Sequence, residues 1–227
     1  MSHYAVAVFS NDGDFDSLLA PYNEHDPNYY VFEPIPYEKI VERFERFKEH
    51  NPRWTLEKYI EEFKLFQKDG EWGYEHNPRG YWDYYSLDGK DYLFDLKKGA
   101  KCEEGGPGYY RKNDYDWYPD DKEAREDARE FWDDFIGPDA LAEPPGPWSK
   151  QYFLDRYKTK EQYIKEAGRT TPYAFITPDG VWHAPGRVWY FAMSDESADD
   201  SDRYTAEWDT WLANDENPYV SIVDCHI

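Results

Sequence analysis

Basic residues are scarce in this chain: 26 Lys and Arg stand against 48 Asp and Glu over 227 residues, a formal net charge of −22. A pI near 4.5 argues against unassisted binding to DNA, RNA or an anionic lipid surface, because phosphate groups reward Lys and Arg. Cysteine is scarcer still. Cys102 and Cys225 are the only two, too few for a disulfide framework, so a reducing cytosolic setting is expected. Long apolar runs are missing as well: no stretch approaches the roughly 18 consecutive apolar residues of a membrane-spanning helix. The first residues lack the basic segment and apolar stretch of a secretory signal, and none is expected. Gly-x-x-x-x-Gly-Lys-Ser/Thr, Gly-x-Gly-x-x-Gly, Gly-x-Ser-x-Gly and Cys-x-x-Cys are all absent. With them go the commonest nucleotide-binding, esterase-type and thiol-redox classes.

What is present in quantity is aromatic. Tyr, Phe and Trp make up 20% of the chain. A mean hydropathy of −1.03 together with the net charge points towards disorder, but each buried ring removes roughly 150–250 Å² from water. The balance favours a folded, very hydrophilic protein with a core of rings. A chain of this size forms one large domain or a domain with an elaborate insertion, and buries about 70% of its extended surface.

Strand patterning is clearest at the two ends. Tyr4, Val6 and Val8 alternate with Ala5 and Ala7, and Tyr219 to Ile227 is an apolar, β-branched run; the two are expected to pair antiparallel. Between them, Tyr37, Ile40, Val41, Phe44 and Phe47 fall at helical spacing, and Thr55 caps a second helix carrying Leu56, Tyr59, Ile60, Phe63 and Phe66 on one face. Asp88-Gly89 between aromatic runs signals a hairpin. Asp120 to Ile136 reads as a helix with Ala124, Ala128, Phe131 and Phe135 inward, and Lys150 to Ala167 as another, broken near Thr159. Tyr173 to Thr177, the turn Pro178-Asp179-Gly180 and Val181 to His183 form a hairpin, and Tyr204, Trp208, Trp211 and Leu212 mark a last helix. Strand, helices, hairpin, helix, strand is the ferredoxin-like order. The expected fold is therefore α+β, with a ferredoxin-like antiparallel sheet from residues 1–20 and 170–227 and a helical, aromatic-hairpin insertion over 21–169.

Several segments carry a resemblance: Met1-Ser2-His3-Tyr4, Leu19-Ala20-Pro21-Tyr22, Trp82-Asp83-Tyr84-Tyr85, Thr177-Pro178-Asp179-Gly180-Val181-Trp182-His183 and Val223-Asp224-Cys225-His226-Ile227. On these segments the chain resembles an uncharacterised family of bacteriophage proteins, a match that reaches both ends and a central patch, about half of the chain. The chain departs from the family at Asp88-Gly89-Lys90-Asp91, where relatives carry Gly-Gly-Arg-Trp. The resemblance implies a viral origin and action in the host cytoplasm; it supplies no activity.

Three groups of residues are candidates for chemistry. If the end strands pair, His3 approaches Asp224, Cys225 and His226, and His183 can approach from the hairpin. His, Cys and carboxylate are transition-metal ligands, and the same residues equally suit polar strand ends that bond each other. Parity cuts against the cluster: with Tyr4, Val6 and Val8 facing the same side as Val220 and Ile222, His3 is expected opposite Asp224 and His226. Second, Trp82, Asp83, Tyr84, Tyr85, Asp88 and Asp91 suit an aromatic-walled ligand pocket, or a hairpin packed on helices. Third, Asp120, Asp121, Glu123, Glu126, Asp127 and Glu130, within a run from Asp114 to Asp134, can imitate a phosphate backbone or simply solvate a helix face. A second acidic run spans Asp195 to Asp202.

The preferred expectation is a non-enzymatic, phage-encoded acidic interaction protein, an inhibitor of a cationic host nucleic-acid-binding or defence enzyme, needing no cofactor. Its binding surface would be the acidic runs with exposed Trp and Tyr. The alternative is a small metal-assisted hydrolase with His3, His183, Asp224 and His226 catalytic and a divalent metal on His3, His183, Cys225 and His226.

Overall fold

The computed structural model describes residues 3–86, 94–102, 110–117, 121–189 and 193–227. It divides into two compact units, one made of the chain up to Leu18 and from Tyr85 onward, the other of Leu19–Tyr84. The segment expected as one insertion over 21–169 is thus shared: only its first part forms a separate unit, and the rest groups with the chain ends. No helix among the described residues is long and apolar enough to cross a membrane.

In the first unit the strand His3–Ser10 pairs antiparallel with Tyr219–His226 along its whole length, from His3 opposite His226 to Ser10 opposite Tyr219. Both strands are buried on both faces through their middle, which is why each reads as a nearly continuous apolar run. On its other side the N-terminal strand pairs with Ala174–Ile176, which in turn pairs antiparallel with Trp182–His183. The Pro178-Asp179-Gly180 turn between them places Gly180 at φ 79°.

The fold is α+β, but the sheet is not uniformly antiparallel. Ala174–Ile176 runs parallel to the N-terminal strand and directly beside it, whereas the ferredoxin-like order is a split unit with the hairpin's return strand between the two. Composition explains the difference. Ala174, Phe175 and Ile176 are all buried, so this strand fits the interior slot. Trp182 and His183 are half-buried and take the edge.

One face of the sheet is covered by the helix Ala198–Ala213. Ser197 and Asp200 form a capping box at its start, satisfying two backbone donors that a helix leaves open. Tyr204 and Trp208, one turn apart, are buried against Ala5, Ala7, Phe9, Phe175 and Ile222. The small Ala5 and Ala7 leave room for the Trp208 indole, which lies 5.4 Å from Trp117 and 5.3 Å from Phe175, centroid to centroid. At the helix C-terminus the buried Lys112 donates to the Asn214 side chain at 2.6 Å and to the carbonyls of Asn214 at 2.8 Å and Trp211 at 3.3 Å. A cation meets the negative end of the helix there.

The helices Lys122–Phe131, Lys150–Arg156 and Lys160–Ala167 gather their own rings, with Phe131 5.3 Å from Phe153 and 5.9 Å from Tyr163. Thr159 caps the last of them, at the break expected from the sequence. The first continues into a widened π turn over Trp132–Ile136.

The second unit holds the strands Val31–Pro34, Phe66–Lys68 and Glu71–His76, the last in the middle, with the helices Tyr37–His50 and Leu56–Glu62. Ile35, Ile40, Phe44 and Tyr59 form its core. Phe66, expected on the second helix, lies on a strand instead. The helix ends at Glu62, and Lys64 turns the chain at φ 51°. Asp69 and Gly70, at φ 54° and 88°, make the two-residue turn that joins the strands, as Asp-Gly does in a type I′ hairpin. The hairpin expected at Asp88-Gly89 lies outside the described residues.

Burial gives the first unit a defined response to alkali. It pushes the Tyr204 phenol and the Cys225 thiol well above their ordinary values, and burial with a hydrogen bond to Asp16 does the same to Tyr85. Groups raised in the folded state stabilise it fully below their unfolded pKa and lose that contribution as pH rises towards the folded one. The unfolded values are about 8.5 for thiol and about 10 for phenol. Urea midpoints are expected to hold near pH 8 and fall steadily above it; a midpoint unchanged up to about pH 10 would contradict this.

Candidate functional site

The register decides what the strand ends can do. Each pair joins residues of opposite parity, His3 with His226 and Tyr4 with Cys225 onward. His3, Ala5, Ala7 and Phe9 therefore share a face with His226, Asp224, Ile222 and Val220. The parity expected from the sequence is reversed: His3 joins Asp224 and His226, and Tyr4, Val6 and Val8 go with Cys225, Val223 and Ser221. His3 Nδ1 lies 3.1 Å from Asp224 Oδ2, and the His3 and His226 rings meet edge to face at 5.0 Å. Cys225 sits on the opposite face, fully buried with its thiol pKa raised, which suits neither a ligand nor a nucleophile.

His183 is elsewhere. It pairs with Phe175, which pairs with Ala7, so it is two strands away and about 13 Å further along the sheet than His3. The hydrolase set thus separates into His3, Asp224 and His226 in one place and His183 in another. The metal set His3, His183, Cys225 and His226 is divided between both faces and two positions.

His183 has a built environment of its own. Its ring lies flat on Phe175, 4.4 Å away with planes 5° apart. Its Nδ1 is 3.0 Å from Glu207 Oε2, and Arg203 Nη1 holds the other Glu207 oxygen at 3.1 Å. Partial burial pushes the Glu207 carboxyl up, but the bonds from His183 and Arg203 outweigh it and hold the group below the usual carboxylate value. A cavity of about 500 Å³, lined by Thr177, His183, Glu207, Thr210 and Trp211 among others, opens beside this pair. A carboxylate-oriented imidazole is general-base geometry, yet the Thr177 hydroxyl donates to Asp179 at 2.6 Å. Sequence reasoning found His183 but missed Arg203 and Glu207, whose i, i+4 spacing on a helix was the available signal.

The aromatic segment is taken apart by the fold. Trp82 is buried in the second unit and its backbone bridges to Asn23. Asp83 is half-buried, Tyr84 is exposed, and the Tyr85 hydroxyl donates to Asp16 in the first unit. Asp88 and Asp91 lie outside the described residues.

From Glu123 to Asp134 the acidic run is on the helix Lys122–Phe131 and the π turn after it, with Asp114 and Asp116 on elements before it; Asp120 lies outside the described residues. Asp121 is the N-cap, accepting from Ala124 N at 2.9 Å, a structural task. Glu126 pairs with Arg129, and Asp133 with Lys160 at 2.6 Å. Glu123, Asp127, Glu130 and Asp134 are exposed and have no ion-pair partner among the described residues. Their spacing of i, i+4, i+7 and i+11 sets them in one stripe, about 16 Å long at 1.5 Å per residue. In the second run, Asp200 is occupied by the capping box and by Arg203. The chain matches no protein-family model, no curated protein and no solved structure.

Proposed function

We propose that the chain is a non-enzymatic acidic interaction protein that inhibits a cationic nucleic-acid-binding or defence enzyme in the cytoplasm of a phage-infected host. The stripe Glu123, Asp127, Glu130 and Asp134 carries this reading. It sets a charge about every 5 Å of helix axis, the same order as the roughly 3.4 Å per phosphate along one DNA strand. The charges ride on a helix anchored by buried Ala128 and Trp132, so little ordering cost falls on binding. The net charge of −22 would steer a basic partner to it.

Capture from host lysate at low and high salt tests the reading. A basic protein is expected to be retained at low salt and released at high salt. The near-isosteric variant Glu123→Gln, Asp127→Asn, Glu130→Gln, Asp134→Asn is expected to weaken binding at least tenfold while keeping the wild-type melting temperature. Retention unchanged in that variant would place the working surface elsewhere. A second reading, a metal-assisted hydrolase, is favoured by one observation, the gathering of His3, Asp224 and His226 on one face. Stoichiometric metal lost in His3→Ala, with a hydrolytic activity lost alongside, would select it.

A further inference from the structure

We infer that Glu24, His25 and Asp83 form a binding site for a divalent transition-metal ion of the zinc class, within the second unit. One ligand atom from each lies within 4.8 Å of the others. Tetrahedral metal–ligand bonds of about 2.0–2.2 Å set ligand atoms roughly 3.3–3.6 Å apart. Binding therefore draws the three atoms together by up to about 1.5 Å.

The backbone fixes this meeting. Asn23 and Trp82 form a parallel bridge, and Glu24 N donates to Trp82 O at 2.9 Å. Asn77, only 3% exposed, donates from its side chain to the carbonyls of Pro21 at 2.8 Å and Asn23 at 2.9 Å. Gly80 lies so near that a Cβ there would come within 2.7 Å of Glu24 Cα; any larger residue would push the two segments apart. A buried amide, a residue with no room for a side chain and a main-chain bridge thus bring two carboxylates together in a chain of net charge −22. His25 Nε2, 3.4 Å from Glu24 Oε1, is the third member.

The donor set points to the class of ion. Two carboxylates and one neutral imidazole balance a dication. A ring nitrogen favours zinc-like ions over Ca²⁺ and Mg²⁺, which take oxygen. Three protein ligands leave a fourth position for water. The acidic stripe of the first unit offers no imidazole and does not compete on these terms.

Co²⁺ is the probe. Titrated into the full chain after chelator treatment, it is expected to bind one ion per chain, with visible absorption bands that Zn²⁺ abolishes by displacement. His25→Ala, at an exposed position, and the near-isosteric Asp83→Asn are each expected to weaken binding at least tenfold with unchanged circular dichroism. His3→Ala and the four-residue stripe variant are expected to bind as wild type, which keeps this result separate from that of the interaction surface. Absence of saturable one-to-one binding, or wild-type affinity in both His25→Ala and Asp83→Asn, overturns the site. Loss of the ion in His3→Ala alone would move it to the strand ends and overturn it equally.

Discussion

Trp208→Ala is expected to cost about 3–5 kcal/mol of stability, the range for emptying a buried Trp site. Trp208 is 0% exposed and lies within 6.2 Å, ring to ring, of Phe9, Phe94, Trp117 and Phe175. Beneath it the sheet offers Ala5 and Ala7, too small to close the space. Typical domains are stable by only about 5–15 kcal/mol, so the variant stands near the edge of folding. Trp208→Phe should lose much less. The indole Nε1 has no hydrogen-bond partner among the described residues, so phenylalanine gives up volume and no bond. Urea midpoints at constant m-value measure both; a loss of less than about 1 kcal/mol for Trp208→Ala would mean the ring core is not the main support of this unit.

Gly73→Ala is the second large effect, and it acts on the other unit. Gly73 lies on Glu71–His76, the central strand, opposite Pro34 and Phe66. A Cβ there would meet the Glu33 carbonyl oxygen at 2.2 Å and the Phe32 ring at 2.7 Å. The first obstacle is main chain and cannot rotate away. Added volume in a packed site costs about 1–3 kcal/mol, and the carbonyl puts this case at the top of that range. The pairing of Val31–Pro34 should therefore open, seen as faster amide exchange in that strand. Adding Phe32→Ala should not restore it, since the carbonyl remains; full rescue would show that the ring alone was the obstacle.

How much of this could be read beforehand depended on local signals. Val6, Val8, Val220 and Ile222 announced two buried strands, and their antiparallel pairing followed. Which faces they share did not. Parity hangs on a one-residue choice of register that the apolar residues, present on both sides of both strands, leave open. The hairpin was legible from Asp179-Gly180, but its order in the sheet rested on the burial of Ala174–Ile176 against the half-exposure of Trp182 and His183, a tertiary fact. Phe63 and Phe66 continued a helical period, and that period masked the Asp69-Gly70 turn three residues later.

The candidate sites divide the same way. The stripe at Glu123, Asp127, Glu130 and Asp134 is one helix's periodicity and was visible as part of a longer acidic run. Its separation from Asp121, Glu126 and Asp133 needed the cap and the ion pairs. Glu24, His25 and Asp83 come from segments far apart in the chain, joined by an asparagine side chain and a glycine, and nothing in the local pattern of either segment announces the other.

His3 and Asp224 are 221 residues apart along the chain and in contact in the fold. On the ribosome, the first strand made must therefore wait for the last one to emerge. Contacts so distant in sequence form slowly, and through that interval a largely apolar ribbon stands without its mate, open to association with other nascent chains. A premature stop anywhere before Tyr219 would remove the middle of the sheet and not merely trim its margin, so shortened products should go to chaperones and proteases instead of persisting as partly working fragments.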